Sequence, residues 1–312
     1  MLKRSLLKKL FIILSALFIL FILYLFPKKT DFISINEREN NAAASVIYLI
    51  NSNNFVSRVS VPIKANNEPI NHAKETLEYL TIGTRNASFI KNGFSPIIPE
   101  GTRVLSLALD DGLLKINFSK EIFEISADNE EKMLSAIIFS LTTIPGINKI
   151  SIYIEDSILH ELPHSKKPLP PTLDRTFGVN RTYNISSIRG TVATTIYYLS
   201  RFEDYSYFVP VTMISNTKEK DPIEIIIREL TSRTMYQTNL ISYLNNVQDI
   251  DFEVGEDFLL IKINNELYKD LNSAHLLERV IYSMNLSIRE NYNITTVLYM
   301  TNDLIFRSFF LY

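Results

Sequence analysis

The stretch MLSAIIFSL at residues 133–141 returns late in the chain as LLERVIYSM at residues 276–284. In both stretches the apolar residues fall at positions i, i+1, i+4, i+5 and i+8, which lines one face of an α-helix. An aromatic residue followed by serine comes at matching places, Phe139-Ser140 in the first stretch and Tyr282-Ser283 in the second. Two helices of one design indicate an internal repeat.

A β-hairpin is predicted before each of these helices. Residues 105–118 alternate between larger apolar and smaller or polar side chains on both sides of the turn Asp110-Asp111-Gly112. Residues 250–263 do the same around Gly255-Glu256-Asp257. Period-two patterning that flanks Gly and Asp is typical of a hairpin.

Further elements extend the repeat in the same order. An earlier helix is marked by apolar residues at Ala73, Leu77 and Leu80 in the first segment and at Ile223, Ile227 and Leu230 in the second. The remaining predicted strands are 46–50, 56–63 and 149–154 in the first segment, and 194–199, 205–213 and 294–300 in the second. We therefore predict an α+β fold with two small α/β sandwich modules, each in the order β-β-α-β-β-α-β.

The N-terminal region predicts a membrane anchor. Residues 10–26 carry no charge, and as a helix they would span roughly 25 Å, the short end of a bilayer crossing. Basic residues are more numerous before this run than after it, which places the N-terminus in the cytoplasm. A cleaved signal peptide is the alternative, but the bulky Tyr24–Pro27 offers no small-x-small cleavage site. We expect a single-pass protein of the cell membrane with extracytoplasmic domains.

Polar and proline-rich stretches set the predicted boundaries. The Asn- and Glu-rich stretch up to residue 44 reads as a tether, and Pro163–Pro171 breaks helices and strands. The predicted segments are a stub and anchor at 1–29, a tether at 30–44, a first domain at 45–158, a linker at 159–189, a second domain at 190–302 and an apolar tail at 303–312.

Composition excludes several classes of function. The net charge of −2 gives no basic face for nucleic acid. There is no Cys, so disulfides, thiolate metal sites and a lipid-anchored N-terminal Cys are excluded. No glycine-rich phosphate loop and no Gly-x-Ser-x-Gly nucleophile motif occurs. We predict no cofactor, no metal and no catalytic residue.

One string resembles a zinc-protease motif. His160-Glu161-Leu162-Pro163-His164 fits the His-Glu-x-x-His pattern, which needs both histidines on one face of a helix. Pro163 lies inside that turn and disfavours the helix, so solvated linker residues are the better interpretation. A zinc hydrolase is kept as an alternative.

The other polar candidates have structural interpretations. Near the predicted helix starts, His72 and His275 suggest surface or capping roles, and Asp110 with Asp111 fits a hairpin turn. Glu121 and Glu266 recur at one repeat position, which suggests bonding to nearby backbone. Two of the Asn-x-Ser/Thr sequons begin at Asn180 and Asn184.

Five stretches of the first segment carry a family resemblance. They are Leu80-Thr81-Ile82-Gly83-Thr84, Ile98-Pro99-Glu100-Gly101-Thr102, Ile116–Ile122, Ile138–Thr142 and Ile147–Ile150. Together they resemble the GerMN domain of sporulation and spore-germination proteins over most of residues 45–156. Residues 190–302 lack the Pro-x-Gly-Thr stretch and have Asn264 where the first copy has Ser119. Members of the family are usually anchored by a lipid on Cys. In this chain the apolar run at 10–26 is expected to take the place of that lipid.

The resemblance implies a non-enzymatic role in assembling a sporulation or germination envelope complex. The implied partners are other extracytoplasmic envelope proteins, bound through sheet surfaces or edges. A binding module for cell-wall glycan or a small ligand is the alternative. The apolar tail, Leu304–Tyr312, either packs on the second domain or docks to a partner.

We expect residues 10–26 to remain attached and to cross the membrane once. Protease added to intact protoplasts should then remove the domains, because only the N-terminal stub is cytoplasmic. Full protection in intact protoplasts, with cleavage only after lysis, would show that the orientation is wrong.

Overall fold

The computed structural model describes residues 45–63, 68–187, 189–216, 221–231, 250–273 and 276–310. All of these residues fall in one compact unit. The predicted anchor and tether lie outside the described residues. Within the described ranges, no helix has the length and apolar character needed to cross a bilayer.

The predicted order β-β-α-β-β-α-β is found in both modules, with short additions. The first module comprises β1 (Ser45–Asn51), β2 (Val56–Val61), α1 (Pro69–Leu80), β3 (Phe94–Ser95), β4 (Val104–Asp110), β5 (Leu113–Phe118), α2 (Glu130–Leu141), β6 (Lys149–Ile154) and β7 (Ser157–Ile158). The linker contributes a 3-10 helix (Arg175–Phe177) and β8 (Thr182–Asn184). The second module comprises β9 (Val192–Phe202), β10 (Tyr205–Ser215), α3 (Pro222–Thr231), β11 (Ile250–Val254), β12 (Phe258–Ile263), α4 (Asn265–Ser273), α5 (Leu277–Asn291), β13 (Thr296–Thr301) and β14 (Leu304–Phe310).

Each module has a small sheet of its own, and the two small sheets share one topology. Strands β4-β5-β6-β7 and β11-β12-β13-β14 are both joined by antiparallel, parallel and antiparallel pairing in that order. Even the last hairpin matches, because both turns use two residues with positive φ, Glu155-Asp156 and Asn302-Asp303. The topology therefore confirms the tandem repeat.

A third sheet joins the modules. Its order is β3-β1-β2-β10-β8, with β9 also paired to β10. The hairpin β1-β2 meets the equivalent hairpin β9-β10 where Arg58 pairs with Phe208. The two modules therefore share one central sheet.

In the first module, α2 closes the edge of β1. The N–H of Tyr48 donates to Ser140 Oγ at 2.8 Å, and Thr143 Oγ1 donates to the carbonyl of Val46 at 3.0 Å. These backbone groups lie on the side of β1 away from β2. Side chains at and just beyond the end of α2 thus satisfy groups that would otherwise be an open strand edge.

In the second module, α5 closes the edge of β9 more completely. Tyr197 donates its N–H to Ser287 Oγ at 2.9 Å, and Ser283 Oγ donates to the Tyr197 carbonyl. Asn291 bonds both backbone groups of Thr195, at 2.9 and 2.7 Å. The three side chains are spaced by four residues, so they lie along one helix face.

These bonds correct the helix alignment that the sequence suggested. Ser140 matches Ser287 and not Ser283, because each receives the N–H of the equivalent strand residue, Tyr48 or Tyr197. Apolar spacing alone does not fix this register, since a stripe at i, i+4 and i+8 maps onto itself after a shift of about one turn. The predicted burial is nevertheless confirmed, with Ile138 0% and Ile281 1% exposed.

Helix α2 lies in the centre of the first module. It contacts β1 and β2 of the central sheet and β6 of the small sheet, and residues 133–141 are all buried. A helix that is buried all round packs between two layers. The hydrophobic core of the first module is therefore organised on α2.

We predict that Ile138→Ala lowers the free energy of unfolding by about 2–5 kcal/mol, because it leaves a cavity in a fully buried site. The matched control is Ile70→Ala in α1, whose side chain is 38% exposed, and which should change stability by under about 1 kcal/mol. Urea unfolding measures both. Equal effects of the two substitutions would contradict the assignment of α2 as the central helix.

Candidate interaction site

The junction between the modules is held by Arg175, which lies in the linker's 3-10 helix. Its Nε and Nη2 donate to the two carboxylate oxygens of Glu290 in α5, at 2.5 and 2.7 Å. Its Nη1 donates to the Phe139 carbonyl at 3.2 Å and to Thr142 Oγ1 at 3.1 Å, both in the first module. One guanidinium therefore binds both modules at once.

Two tyrosines complete this network. The hydroxyls of Tyr48 in β1 and Tyr197 in β9 are 2.9 Å apart, and both accept from Arg175 Nη2. Tyr197 donates to Glu290 Oε2 at 3.0 Å. The guanidinium also lies over the ring of Phe139, 4.1 Å from its centroid. Equivalent tyrosines of the two modules thus meet at their boundary.

The electrostatics of the network favour a fixed ionic state. Burial lowers the pKa of Arg175, but Tyr48 and Glu290 outweigh it and hold that pKa well above its usual value. Burial and the Glu290 carboxylate raise the pKa of Tyr197. The arginine stays charged and this tyrosine stays neutral, which suits a structural network and not a tyrosinate nucleophile.

A second linker residue, Asn180, joins the central strands. Its Oδ1 accepts the N–H of Val56 at 2.9 Å, and its Nδ2 donates to the carbonyls of Val56 and Pro210 at 2.7 Å each. Val56 is in β2 and Pro210 is in β10. The linker segment that carries Asn180 packs closely against β10. This depends on Gly178 (φ +79°), where a Cβ would lie 3.1 Å from Thr212.

The start of α2 holds the earlier part of the linker. Glu130 accepts the backbone N–H groups of His164 and Ser165 at 2.5 and 3.0 Å. Burial raises the pKa of Glu130, but these bonds outweigh it, so the net shift is downward. Glu131 pairs with Lys167 and Arg181 at 2.5 and 2.6 Å. The linker is therefore tied to the first module along its length.

The linker also completes the small sheet of the first module. Leu173 pairs with Ile150 at the edge of β6, and both backbone bonds are 2.8 Å. In the second module, Val297 of β13 is the counterpart of Ile150, and it pairs with Phe309 of β14. The edge strand that is continuous in the second module is therefore interrupted by residues 160–172 in the first.

The His-Glu-x-x-His string forms no helix. His160–His164 runs through a bridge at Glu161, which pairs with Pro168, and then a turn. Glu161 pairs with Lys166 at 3.1 Å, and His164 Nε2 lies 3.2 Å from the Phe123 carbonyl. The one-sided helical arrangement that zinc proteases use is not formed here, and absence of zinc stays a prediction.

The remaining polar candidates are dispersed. Asp111 lies in the β4-β5 turn with φ 43°. The Ser119 hydroxyl and the backbone N–H of Glu121 itself lower the pKa of the Glu121 carboxyl, which agrees with its predicted structural role. In the second module the equivalent Glu266 lies in the first turn of α4.

The histidines and the sequon asparagine complete this account. Burial lowers the pKa of His72 in α1, His275 lies outside the described residues, and Asn184 ends β8. Among the residues that the structure describes, no three His, Asp or Glu side chains are grouped to hold a metal ion.

The outward faces of the two small sheets differ in chemistry. In the first module the positions that alternate away from the helices include Lys115, Ser151 and Tyr153. The linker covers part of this face, because Ser151 is buried and its hydroxyl donates to the Pro171 carbonyl at 2.7 Å. The equivalents of these three positions in β12 and β13 are Leu260, which is buried, and Leu298 and Met300, which are half-buried. This replacement makes the outward face of the second sheet the more apolar of the two.

The apolar tail forms the edge strand β14, antiparallel to β13. Phe306 and Phe309 pack against Tyr299, with ring centroids 6.4 and 6.0 Å from it. Part of the tail therefore packs on the second domain. Leu304 and Ile305 remain 71% and 54% exposed. Docking by the tail stays a hypothesis.

The sequence motifs did not point to Arg175 or Asn180 as junction residues. Asp174-Arg175-Thr176-Phe177-Gly178 has the composition of a turn, and the role of its arginine depends on partners more than 30 residues away. Asn180 stood out only as a sequon. Gly178, at the end of this turn, was the one local signal of a tightly docked linker, because glycine tolerates its positive φ.

Comparisons with known proteins agree with the repeat. A family profile described as sporulation and spore germination (Germane) matches residues 46–159. The spore germination protein GerM of Bacillus subtilis is 31% identical over 208 residues, covering 65% of this chain and 56% of GerM. This chain thus aligns with less than two thirds of that relative. The solved tandem GerMN domains of the same protein match with a TM-score of 0.73 and 25% identity, covering 83% of this chain and 90% of that one.

We predict that Arg175→Met lowers the free energy of unfolding by about 2–4 kcal/mol, because it leaves Glu290 buried without its cation. The figure is below that of a fully buried pair because 27% of the Arg175 side chain is exposed. Adding Glu290→Leu should recover part of the loss. The matched control is Arg201→Met, whose pair with Asp204 is exposed. Additive effects of the two junction substitutions would contradict a coupled network.

Proposed function

We propose that the chain, whose first module matches the Germane family profile and which aligns with the tandem GerMN domains of GerM, is a non-enzymatic, membrane-anchored protein that supports assembly of a sporulation or spore-germination envelope complex. The observation that carries the proposal is the match of 83% of the chain to the tandem GerMN domains of GerM, described as a sporulation protein. The match includes both modules and therefore their arrangement in tandem.

The junction supports a scaffolding role. A protein that positions others benefits from surfaces held at a fixed distance and angle. Arg175 and Asn180 bind both modules, and β2 with β10 makes the central sheet continuous. The two outward sheet faces are thereby presented by one body.

The chemistry of the described residues supports a binding role. Catalytic sites bring titratable groups with shifted pKa values together in a cleft. Here the strongest pKa shifts belong to Tyr197, Tyr198 and Tyr299, which lie in the packed interior, and to Arg175, which is partly buried at the junction. They favour a network that orders the fold over one that transforms a substrate.

The partner surface we propose is the outward face of the second small sheet. Leu298 and Met300 are half-buried there, where the first module has Ser151 and Tyr153. We propose that another extracytoplasmic envelope protein of the sporulating cell packs on this face. The anchor at residues 10–26 would keep that surface close to the membrane and raise its effective concentration.

Matched substitutions test this proposal in sporulating cells. Met300→Lys places a charge on the proposed contact face, and Tyr153→Lys places one at the equivalent position of the first module. We expect Met300→Lys to abolish capture of an extracytoplasmic partner from membrane extracts and to reduce heat-resistant spores. Tyr153→Lys should leave both intact.

Three outcomes would contradict the proposal. Normal sporulation after deletion of the gene would show that the protein has no role in sporulation. Equal behaviour of the two Lys variants would show that the outward face of the second small sheet is not the contact surface. A protein that binds purified cell-wall glycan, with the binding abolished by Met300→Lys, would favour the binding-module alternative.

A further inference from the structure

The outer edge of the small sheet in the first module lies along β4. This strand pairs with β5 on one side and ends the order β4-β5-β6-β7. In the part of the chain that the structure describes, no strand pairs with its other side. Exposed strand edges recruit further strands unless charge, proline or a covering segment prevents it.

The equivalent edge strand of the second module, β11, is protected by charge. It carries Asp251 and Glu253 on its outward face. Two copies of β11 brought edge to edge would bring these carboxylates together, which is destabilising. The strand pairings align the same two positions with Ser106 and Ala108 of β4, which carry no charge, and β4 contains no proline. The first module therefore lacks the charges that protect β11.

The turn of the β4-β5 hairpin determines which backbone groups of β4 point outward. Asp111-Gly112 has positive φ at both residues, 43° and 75°, as in a two-residue hairpin turn. The residues that flank such a turn, Asp110 and Leu113, form a hydrogen-bonded pair, and every second pair along the strands does the same. Leu107 and Leu109 therefore direct their N–H and C=O groups toward the open edge.

The side chains of β4 divide between the two faces of the sheet. Leu107 and Leu109 pair with buried residues of β5 and pack against the core, but both are only half-buried. Ser106, Ala108 and Asp110 are exposed on the outward face. A further strand beside β4 would remove more of the two leucine side chains from water, which is favourable.

One antiparallel register between two copies of β4 satisfies both the backbone and the side chains. When the strands are centred on Ala108, Leu107 of each copy pairs with Leu109 of the other, so the outward backbone groups bond to each other. Ser106 then faces Asp110 of the other copy, and its hydroxyl can donate to that carboxylate. Apolar and hydrogen-bonding pairs directly across from each other stabilise antiparallel strands.

Neighbouring registers use irregular backbone. Centring the pair on Leu107 involves Leu105, where the pairing of β4 with β5 shifts. Centring it on Leu109 involves the turn residue Asp111. The register centred on Ala108 stays inside the regular part of β4.

We propose that two copies of this chain associate edge to edge through β4, pairing antiparallel around a two-fold axis at Ala108. The two small sheets of four strands then form one continuous sheet. Such a contact is isologous and closes on itself, so it gives a dimer and not a fibre. The envelope partner proposed above binds the outward face of the second small sheet, so this inference does not depend on it.

Cysteine cross-linking of the full chain in whole cells tests the proposal, because the protein has no Cys of its own. In Ala108→Cys the two thiols lie directly across the axis as a non-hydrogen-bonded pair, within disulfide range. Mild oxidation should convert most of the protein to a disulfide dimer on a non-reducing gel.

The matched control is Lys115→Cys, which is exposed on the same face and paired with Ala108, but lies one strand further from the axis. Its two thiols would be roughly 14 Å apart, because neighbouring strands are about 4.8 Å apart. That distance is beyond disulfide range, so Lys115→Cys should stay monomeric.

Two singly substituted chains, expressed together with different tags, test the register. Ser106→Cys and Asp110→Cys should form a mixed disulfide, because these positions face each other across the axis. Either variant alone should give several-fold less dimer, since its two thiols lie four residues apart along the paired strands. Adding Ala108→Glu to both chains should reduce the mixed disulfide several-fold. Combining Ala108→Glu in one chain with Ala108→Lys in the other should restore it.

Four results would overturn the proposal. The first is equal cross-linking at positions 108 and 115. The second is a mixed disulfide no stronger than the disulfide of either variant alone. The third is a mixed disulfide unaffected by Ala108→Glu in both chains. The fourth is a disulfide from position 108 only to a different protein, which would assign the edge to another partner.

The reduced variants should unfold at the same temperature as the parent, because all the substituted side chains are exposed. If Ala108→Cys did not fold, the pair of Ser106→Cys and Asp110→Cys would still test the contact, since it leaves Ala108 in place.

Discussion

The Arg175–Glu290 ion pair is the interaction on which the arrangement of the two modules depends. Each module alone would leave part of it unsatisfied, because the arginine comes from the linker, the carboxylate from α5 and the carbonyl acceptor from the end of α2. The Tyr48 and Tyr197 hydroxyls use the remaining hydrogen-bonding capacity around the guanidinium. A partly buried charge is tolerated here because its polar surroundings are nearly complete. Removal of one member would therefore disturb contacts in three segments of the chain.

Backbone hydrogen-bonding groups are also satisfied at the edges of the central sheet. Helices α2 and α5 place hydroxyl and amide side chains against backbone groups of β1 and β9, so a helix takes the place of a missing strand. Serine and asparagine are usually poor choices inside helices because they compete for backbone partners. In α5 the side chains of Ser283, Ser287 and Asn291 bond to the backbone of β9. This explains a polar stripe on a helix that otherwise faces the core.

The repeat and its element order could be predicted from the sequence because both rest on local periodicity. The strands, hairpins and helices around Ile138 and Ile281 follow from apolar spacing and turn residues. The predicted alignment of α2 with α5 was wrong by one turn. Ser140 has two possible counterparts in α5, Ser283 and Ser287, which lie one helical turn apart. Only the hydrogen bonds from Tyr48 and Tyr197 distinguish them. The junction could not be predicted either. The residues next to Arg175 are those of an ordinary turn, and the role of Arg175 depends on contacts with residues far away in sequence.

The pairing of Leu173 with Ile150 has a consequence for the way the chain folds. A chain synthesised from its N-terminus has strands β1 to β6 and helices α1 and α2 of the first module once residue 154 has emerged. Its small sheet, however, still lacks the strand segment at Leu173, and β2 lacks Asn180 and β10. Contacts between residues far apart in sequence slow folding, because the intervening chain must be ordered first. The hydrogen bonding of the small sheet in the first module is therefore completed only after the linker has been synthesised, and that of β2 only after the linker and β10 have.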